Sequence, residues 1–207
     1  LEFNSHEMLV SGGLFALLLL VLVSMAIDPL QVEMQPLQSG LLWVIFLFAD
    51  VLALERSLAH EEQNDVMTAL LLWPVDRSAI FFGKVIANWS ILSVIELVLT
   101  PVSFVLFSTE MTGSWWLLVG VIMAATLGLS AVGTLLGSIT IRLHAGGILL
   151  PLLFFPLVVP LMLAAIRLTT SGMTGVAPSS TWWPLVAGFD VLFLAVPALL
   201  FEFIWSE

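Results

Sequence analysis

Apolar runs alternate with short polar breaks along most of the chain. A helix needs about 20 apolar residues to cross the hydrocarbon core of a bilayer. Six runs approach or exceed that length: 9–27, 37–54, 79–107, 115–141, 146–166 and 182–205. The breaks are Asp28-Pro29, a polar stretch from His60 to Lys84, residues 109–114, residues 142–145, and a Ser/Thr/Gly/Pro loop at 169–181. The second run is the shortest and holds Asp50, and the tight fourth break predicts a helical hairpin. The pattern predicts an all-α membrane protein, six transmembrane helices in one domain over 1–207.

One break departs from the rest. In HEEQNDVMTALLLWPVDRSAIFFGK, His60 to Lys84, acids and amides flank a short apolar centre. Asn64 or Asp65 is placed to cap a helix start, its side-chain oxygen satisfying free backbone N–H groups. Val66, Ala69, Leu70 and Trp73 then share one helical face at three- and four-residue spacing. As a helix, 66–73 spans only ~12 Å and cannot cross the membrane. Pro74 ends it, and Asp76 or Ser78 is placed to cap the helix that follows. Two readings fit the segment 60–78. It is a connector lying among headgroups, or it is a docking helix for a cytosolic partner, with Glu61, Glu62, Gln63 and Asn64 as a polar rim around an apolar anchor.

Composition fixes the solvent. Of 207 residues, 60% are hydrophobic and 10% charged, against ~45–50% and ~25% in soluble domains, and the mean hydropathy is +1.15. Lipid must cover much of the surface. Cysteine is absent, which removes disulfides, thiolate metal sites and cysteine nucleophiles. With five Lys and Arg and a formal charge of -10, no nucleic-acid partner is expected. The sequence starts at Leu1, so residues upstream are expected. LEFNSHEML reads as the end of an amphipathic interfacial helix with Leu1, Phe3, Met8 and Leu9 on its apolar side. No basic segment or small-x-small site makes the first run a cleaved signal peptide.

Charge also orients the spans. Arg56, Arg77 and Lys84 lie in or beside the second break and Arg142 in the fourth, while Arg167 alone falls on the other side. Because Lys and Arg collect on the cytoplasmic side, both termini and the His60–Lys84 stretch are predicted to be cytoplasmic. Trp115-Trp116 and Trp182-Trp183 then open spans at the outer interface, where indole rings favour the headgroup layer.

Three acids fall inside spans. Glu96 lies ~18 Å past Lys84 along a helix, near the bilayer centre. Asp190 is a third of the way into the sixth span, and Asp50 nears the cytoplasmic end of the second. Charged groups at such depth are costly and are functional candidates by default. No span centre offers a Lys or Arg to Glu96, so it is expected to be protonated or bonded to Ser/Thr hydroxyls or water in the bundle interior; helix packing and substrate passage both remain open as its role. Asp50 is expected to be structural. Gly133 and Gly137 form a small-residue face that permits close helix contact, with Gly128 nearby. Pro151, Pro156 and Pro160 are expected to leave carbonyls unpaired and bend the fifth span. His6, His60 and His144 read as solvated connector residues and not haem ligands, and Met123 and Met162 as packing.

The chain has no G-x-x-x-x-G-K-[ST] loop to cradle phosphates, so any ATPase is a separate polypeptide. HEEQN has Asn64 where a zinc protease needs its second His. There is no G-x-S-x-G elbow and no nucleophile–base constellation around the buried acids. A non-catalytic membrane subunit is expected.

The acid and amide residues Glu62, Asn64 and Asp65, followed by Leu70-Leu71-Leu72, Pro74-Val75-Asp76-Arg77-Ser78-Ala79-Ile80-Phe81 and Gly83-Lys84, resemble the cytochrome c maturation haem exporter protein B family (CcmB). Gln63, between Glu62 and Asn64, departs from the common pattern. GLLWVIFLFA at 40–49, AVGTLLGSIT at 131–140, ILLPLLFFPLVVPLMLAA at 148–165 and FDVLFLAVPALLFEF at 189–203 extend the likeness over nearly all the chain after the first span. The resemblance implies an exporter-like, type V-like ABC permease of six helices in the bacterial inner membrane, usually paired with a second copy of itself. It implies that 60–78 is a coupling helix seated in a cleft of an ATPase subunit, with Glu61, Glu62, Asn64, Asp65, Leu70, Trp73, Pro74, Asp76 and Arg77 at that interface. The implied partners are the ABC-type ATPase, a haem-handling tryptophan-rich membrane protein, a small single-span subunit and a periplasmic haem chaperone. ATP is then bound by the ATPase and haem handled by the complex, and no cofactor or metal is assigned to residues of this chain. The alternative is a permease for another amphiphile, such as a lipid or polysaccharide precursor, since fold does not fix cargo.

Overall fold

A computed structural model describes residues 2–27, 34–63, 76–143 and 149–204. Among them are six helices: α1 Glu2–Ala26, α2 Met34–Gln63, α3 Arg77–Leu106, α4 Trp115–Leu143, α5 Leu149–Thr174 and α6 Trp182–Ile204. Four contain stretches long and apolar enough to cross a membrane, Met34–Leu58, Ser78–Leu106, Trp115–Ile141 and Leu149–Thr174. Two shorter apolar helical stretches, Val10–Ala26 and Trp182–Ala198, accompany them. Residues 2–9 continue into α1 and form no separate helix.

The bundle is organised around α4, which packs against α2, α3, α5 and α6, while α1 packs against α2 and α3. Lipid tails are as apolar as leucine, so van der Waals packing and interhelical hydrogen bonds hold such helices together. The interior follows that rule. Trp43, Phe46, Leu118, Leu129, Phe154 and Leu161 are fully buried, whereas Leu18, Leu22, Val98, Leu152 and Val191 are exposed on the outer faces. Trp116 and Trp183, at the start of α4 and α6, are also exposed.

Several boundaries differ from those expected. Helix α2 extends to Gln63, well beyond 54, so Asp50 lies near its middle and not toward its end. Glu61 and Glu62 therefore belong to the last turn of α2 and not to the rim of a separate helix. Asn64, Asp65, Leu70, Trp73 and Pro74, with the rest of 64–75, lie outside the described residues. Asp76 occupies the N-cap position of α3, and its carbonyl accepts from Ala79 N at 3.0 Å, but its side chain makes no capping hydrogen bond. Pro151 falls in the first turn of α5, where no N–H partner is required of it, so it interrupts nothing. Pro156 and Pro160 are the prolines inside that helix.

The largest correction is at the end of α5. The expected loop at 169–181 is helical through Thr174. Its polar residues are satisfied inside the bundle, so they do not end the helix. Thr170 and Thr174 donate to the carbonyls of Ile166 and Thr170, both at 2.9 Å. Thr169 Oγ1 accepts from Trp43 Nε1 at 2.8 Å, and the Ser39 and Thr170 hydroxyls meet at 2.5 Å. The helix stops at Gly175, whose φ of +73 suits a C-terminal glycine and whose N–H returns to the Ser171 carbonyl at 2.9 Å.

Thr169→Val keeps the side-chain shape but leaves the buried Trp43 N–H without an acceptor. It is expected to cost about 1 kcal/mol, measured as a lower unfolding midpoint in detergent, with the packing of α2 on α5 otherwise preserved.

Candidate functional site

The described polar interior residues fall largely into one seam where α2, α3 and α4 meet. On α4, Thr126, Ser130, Thr134 and Ser138 recur every four residues and so share a face. On α3, Lys84, Asn88, Glu96 and Thr100 fall on the same four-residue register, with the buried Leu92 between Asn88 and Glu96. Helix α2 contributes Gln38, Asp50 and Ser57.

At the Met34 end of α2, the seam is a closed hydrogen-bond network. Gln38 Nε2 donates to Ser103 Oγ at 2.9 Å and its Oε1 accepts from Thr109 Oγ1 at 2.5 Å. Ser103 in turn donates to the Thr100 carbonyl and Thr100 to the Glu96 carbonyl. Both carbonyls lie in the turns next to Pro101.

At the centre, Glu96 and Asp50 bring their carboxyls together, both buried. Glu96 Oε2 is hydrogen-bonded to Thr126 Oγ1, and the same hydroxyl bonds the Ile122 carbonyl at 2.6 Å. Asp50 Oδ1 and Oδ2 and Glu96 Oε1 have no hydrogen-bond partner of ordinary geometry, although the two carboxyls adjoin. Ser93, one turn from Glu96 on α3, is also buried with its hydroxyl unpartnered.

Toward the Gln63 end of α2, the seam opens into a narrow cleft lined by Leu54, Ser57, Leu58, Lys84, Asn88, Gly133, Thr134 and Ser138. Asn88 Nδ2 donates to Thr134 Oγ1 at 3.1 Å. At Gly133 and Gly137 of α4, the side chains of Leu54 and Leu58 from α2 occupy the space an added Cβ would need.

Asp190 lies apart from this seam. It is nearly buried on α6 against Gly128, where an added Cβ would stand 2.5 Å from Asp190 Oδ1. Of the residues expected to engage an ATPase, Asp76 is exposed at the start of α3, and Arg77 is its first helical residue. Glu61 and Glu62 end α2, the same end of the seam as the cleft. No group of three or more His, Cys, Asp or Glu side chains able to hold a metal occurs among the described residues.

Glu96 was legible from its depth, but its pairing with Asp50 was not, because a second span ending at 54 places Asp50 too near the membrane edge. Thr126, Ser93 and, of the cleft residues, Ser57, Asn88, Thr134 and Ser138 were not singled out as site residues. A usable signal existed: hydroxyl residues repeating at four-residue intervals through a 29-residue apolar helix.

The sequence model of the CcmB protein family matches residues 1–202. The chain belongs to that family. It is 30% identical to Heme exporter protein B of Rhodobacter capsulatus over 166 residues, 80% of this chain and 76% of that one. It is 29% identical to Heme exporter protein B of Haemophilus influenzae over 151 residues, 73% of this chain and 68% of the relative. The Escherichia coli K12 protein of the same name is 29% identical over 153 residues, with the same shares covered. With its long apolar helices, this CcmB-family chain is a multi-pass membrane protein.

Proposed function

We propose that this chain is the non-catalytic permease subunit of an ATP-driven complex that handles haem for cytochrome c maturation. The observation that carries the reading is the family match over residues 1–202, together with relatives whose name is Heme exporter protein B. All six apolar helices then span the bacterial inner membrane, with both termini and the 64–75 connection in the cytoplasm. Four of the five basic residues sit on that side, consistent with their preference for it. ATP is hydrolysed by a partner chain, since the sequence carries no phosphate-cradling loop.

In this reading, 60–78 is the coupling segment. An apolar centre too short to cross the membrane suits a cleft in the ATPase, and the acids that end α2 and the Asp76–Arg77 pair that begins α3 frame it. Closure of the ATPase on nucleotide would then push on the adjoining ends of α2 and α3. That motion would drive haem delivery or release of the haem-loaded periplasmic chaperone. A second copy of this chain, a tryptophan-rich haem-handling protein and a small single-span subunit complete the assembly.

The test reverses charge at Asp76 and Arg77 singly and replaces Leu70 with tryptophan. Each variant is expected to insert normally yet weaken retention of the ATPase in the purified complex by roughly thirtyfold, the effect of losing about 2 kcal/mol at an interface centre. Maturation of c-type cytochromes is expected to fall with it. Unchanged ATPase retention and unchanged maturation in all three variants would remove the coupling assignment.

A further inference from the structure

We propose that Asp50, Glu96 and Thr126 form a proton-binding site inside the bundle, reached from the cleft lined by Ser57, Lys84, Asn88, Thr134 and Ser138. The ligand is the proton itself, held on the carboxyl pair.

The first observation is a hydrogen-atom count. The Thr126 hydroxyl has one hydrogen to donate, yet its oxygen lies within bonding distance of both the Ile122 carbonyl and Glu96 Oε2. A hydrogen on Glu96 Oε2 resolves the conflict, with Glu96 donating to Thr126 and Thr126 donating to Ile122. The second is the pairing of carboxyls. Asp50 and Glu96 adjoin in the buried interior with three of their four carboxyl oxygens unpartnered, and two like charges so placed repel. A bound proton between them is the simplest neutralising partner. The third is Ser93, buried and unpartnered one turn from Glu96 toward the cleft. It stands about 7.5 Å along α3 from Asn88 and about 4.5 Å from Glu96, the position a hydroxyl or water relay between cleft and pair requires.

No Lys or Arg lies within one helical turn of Asp50 or Glu96 on its own helix, and Arg56, farther along α2, is exposed. From α1, residues 10–27 contain no titratable group. Helix α4 presents Thr126 and Ser130, and Ser130 donates to the Val85 carbonyl at 2.7 Å. On α2, Glu55 lies beyond Asp50 toward the cleft, partly exposed; on α3, Lys84 lies three turns from Glu96 at the cleft. Asp190 faces α4 from α6 at Gly128. The buried residues of α5 include no titratable group.

Dicyclohexylcarbodiimide is the probe, because it enters apolar interiors and reacts with neutral carboxylic acids. The carboxyl proton passes to a carbodiimide nitrogen and the carboxylate oxygen adds to the central carbon. The O-acylisourea then rearranges to a stable N-acylurea that peptide mass mapping locates. The purified complex is expected to carry the adduct on Glu96 or Asp50, with less adduct as the pH is raised and none on either residue in Asp50→Asn/Glu96→Gln. In proteoliposomes of one orientation, lowering the pH on the cleft side alone is expected to increase the adduct. The proposal is overturned by no adduct at either residue at any pH at which the complex stays folded, or by labelling that follows the pH of the opposite side. Because the readout needs neither ATP nor haem, its failure would leave the coupling reading to its own test.

Discussion

Gly113→Ala is expected to cost about 3 kcal/mol or more and to prevent recovery of folded protein at moderate temperature. An alanine Cβ at this position would stand 1.9 Å from the Gly172 carbonyl oxygen and 2.7 Å from Gly175 N. Both are backbone atoms, so no rotamer change relieves the overlap. The approach is this close because the loop between α3 and α4 is bound to the end of α5. Thr112 N and Gly113 N both donate to the Met173 carbonyl at 3.1 Å, and Ser114 N donates to the Gly172 carbonyl at 2.9 Å. Separating the loop from α5 by the width of a methyl group would break all three bonds at once. The measurement is the unfolding midpoint in mild detergent, with Gly40→Ala as control. Gly40 lies in α2 with nothing within 4 Å of its added Cβ, so there the change is expected to be neutral or to stabilise by up to about 1 kcal/mol through helix propensity.

That loop contact explains what could be read from the chain and what could not. Apolar run length located all six helices, because each helix must present enough apolar length to its surroundings whatever its neighbours are. Run length failed where neighbours supply hydrogen-bond partners. Thr169, Thr170 and Ser171 look like a loop in isolation, but in place they are partnered by Trp43, Ser39 and nearby carbonyls, and α5 continues through them. The same effect hid the end of α2. Residues 55–63 are polar enough to suggest a break, yet they prolong a helix whose Leu54 and Leu58 are already fixed against α4. The centre of the candidate site was half visible for a related reason. An acid deep in an apolar run announces itself, whereas its partner depends on which helices touch and at what height. Only the correct end of α2 brings Asp50 level with Glu96.

A bundle stabilised by packing alone would bury leucine and glycine where α2, α3 and α4 meet. Here that junction carries a closed network at one end, a carboxyl pair at the centre and a polar cleft at the other. The closed end resists separation of the helices. The cleft lies at the ends of α2 and α3 on which the proposed coupling segment would act. A push on those ends would therefore be felt first at Ser57, Lys84 and Asn88.

Gly133→Leu is expected to destabilise the bundle by about 3 kcal/mol, and Leu54→Ala to recover part of that loss when the two are combined. A Cβ at 133 would meet Leu54 Cδ1 at 2.4 Å, and Leu54 is itself buried with only 2% of its surface exposed. Alanine at 133 displaces only the tip of one leucine, so Gly133→Ala is expected to be mild. Leucine at 133 must occupy the volume Leu54 now fills, and α2 is driven away from α4. Leu54→Ala alone should cost about 2–5 kcal/mol through the cavity it leaves. In the double variant the new leucine fills that cavity from the opposite helix. The combined loss should fall short of the sum by more than 1 kcal/mol. Additive losses would mean that Gly133 does not seat Leu54. Because Leu54, Leu58 and Gly133 also wall the cleft, the single Gly133→Leu variant carries a second signature. Spreading α2 from α4 widens the route to Ser93 and the carboxyl pair, so it should speed hydrogen exchange at the α2 and α4 backbone around the cleft, and the double variant should return that exchange toward the parent rate.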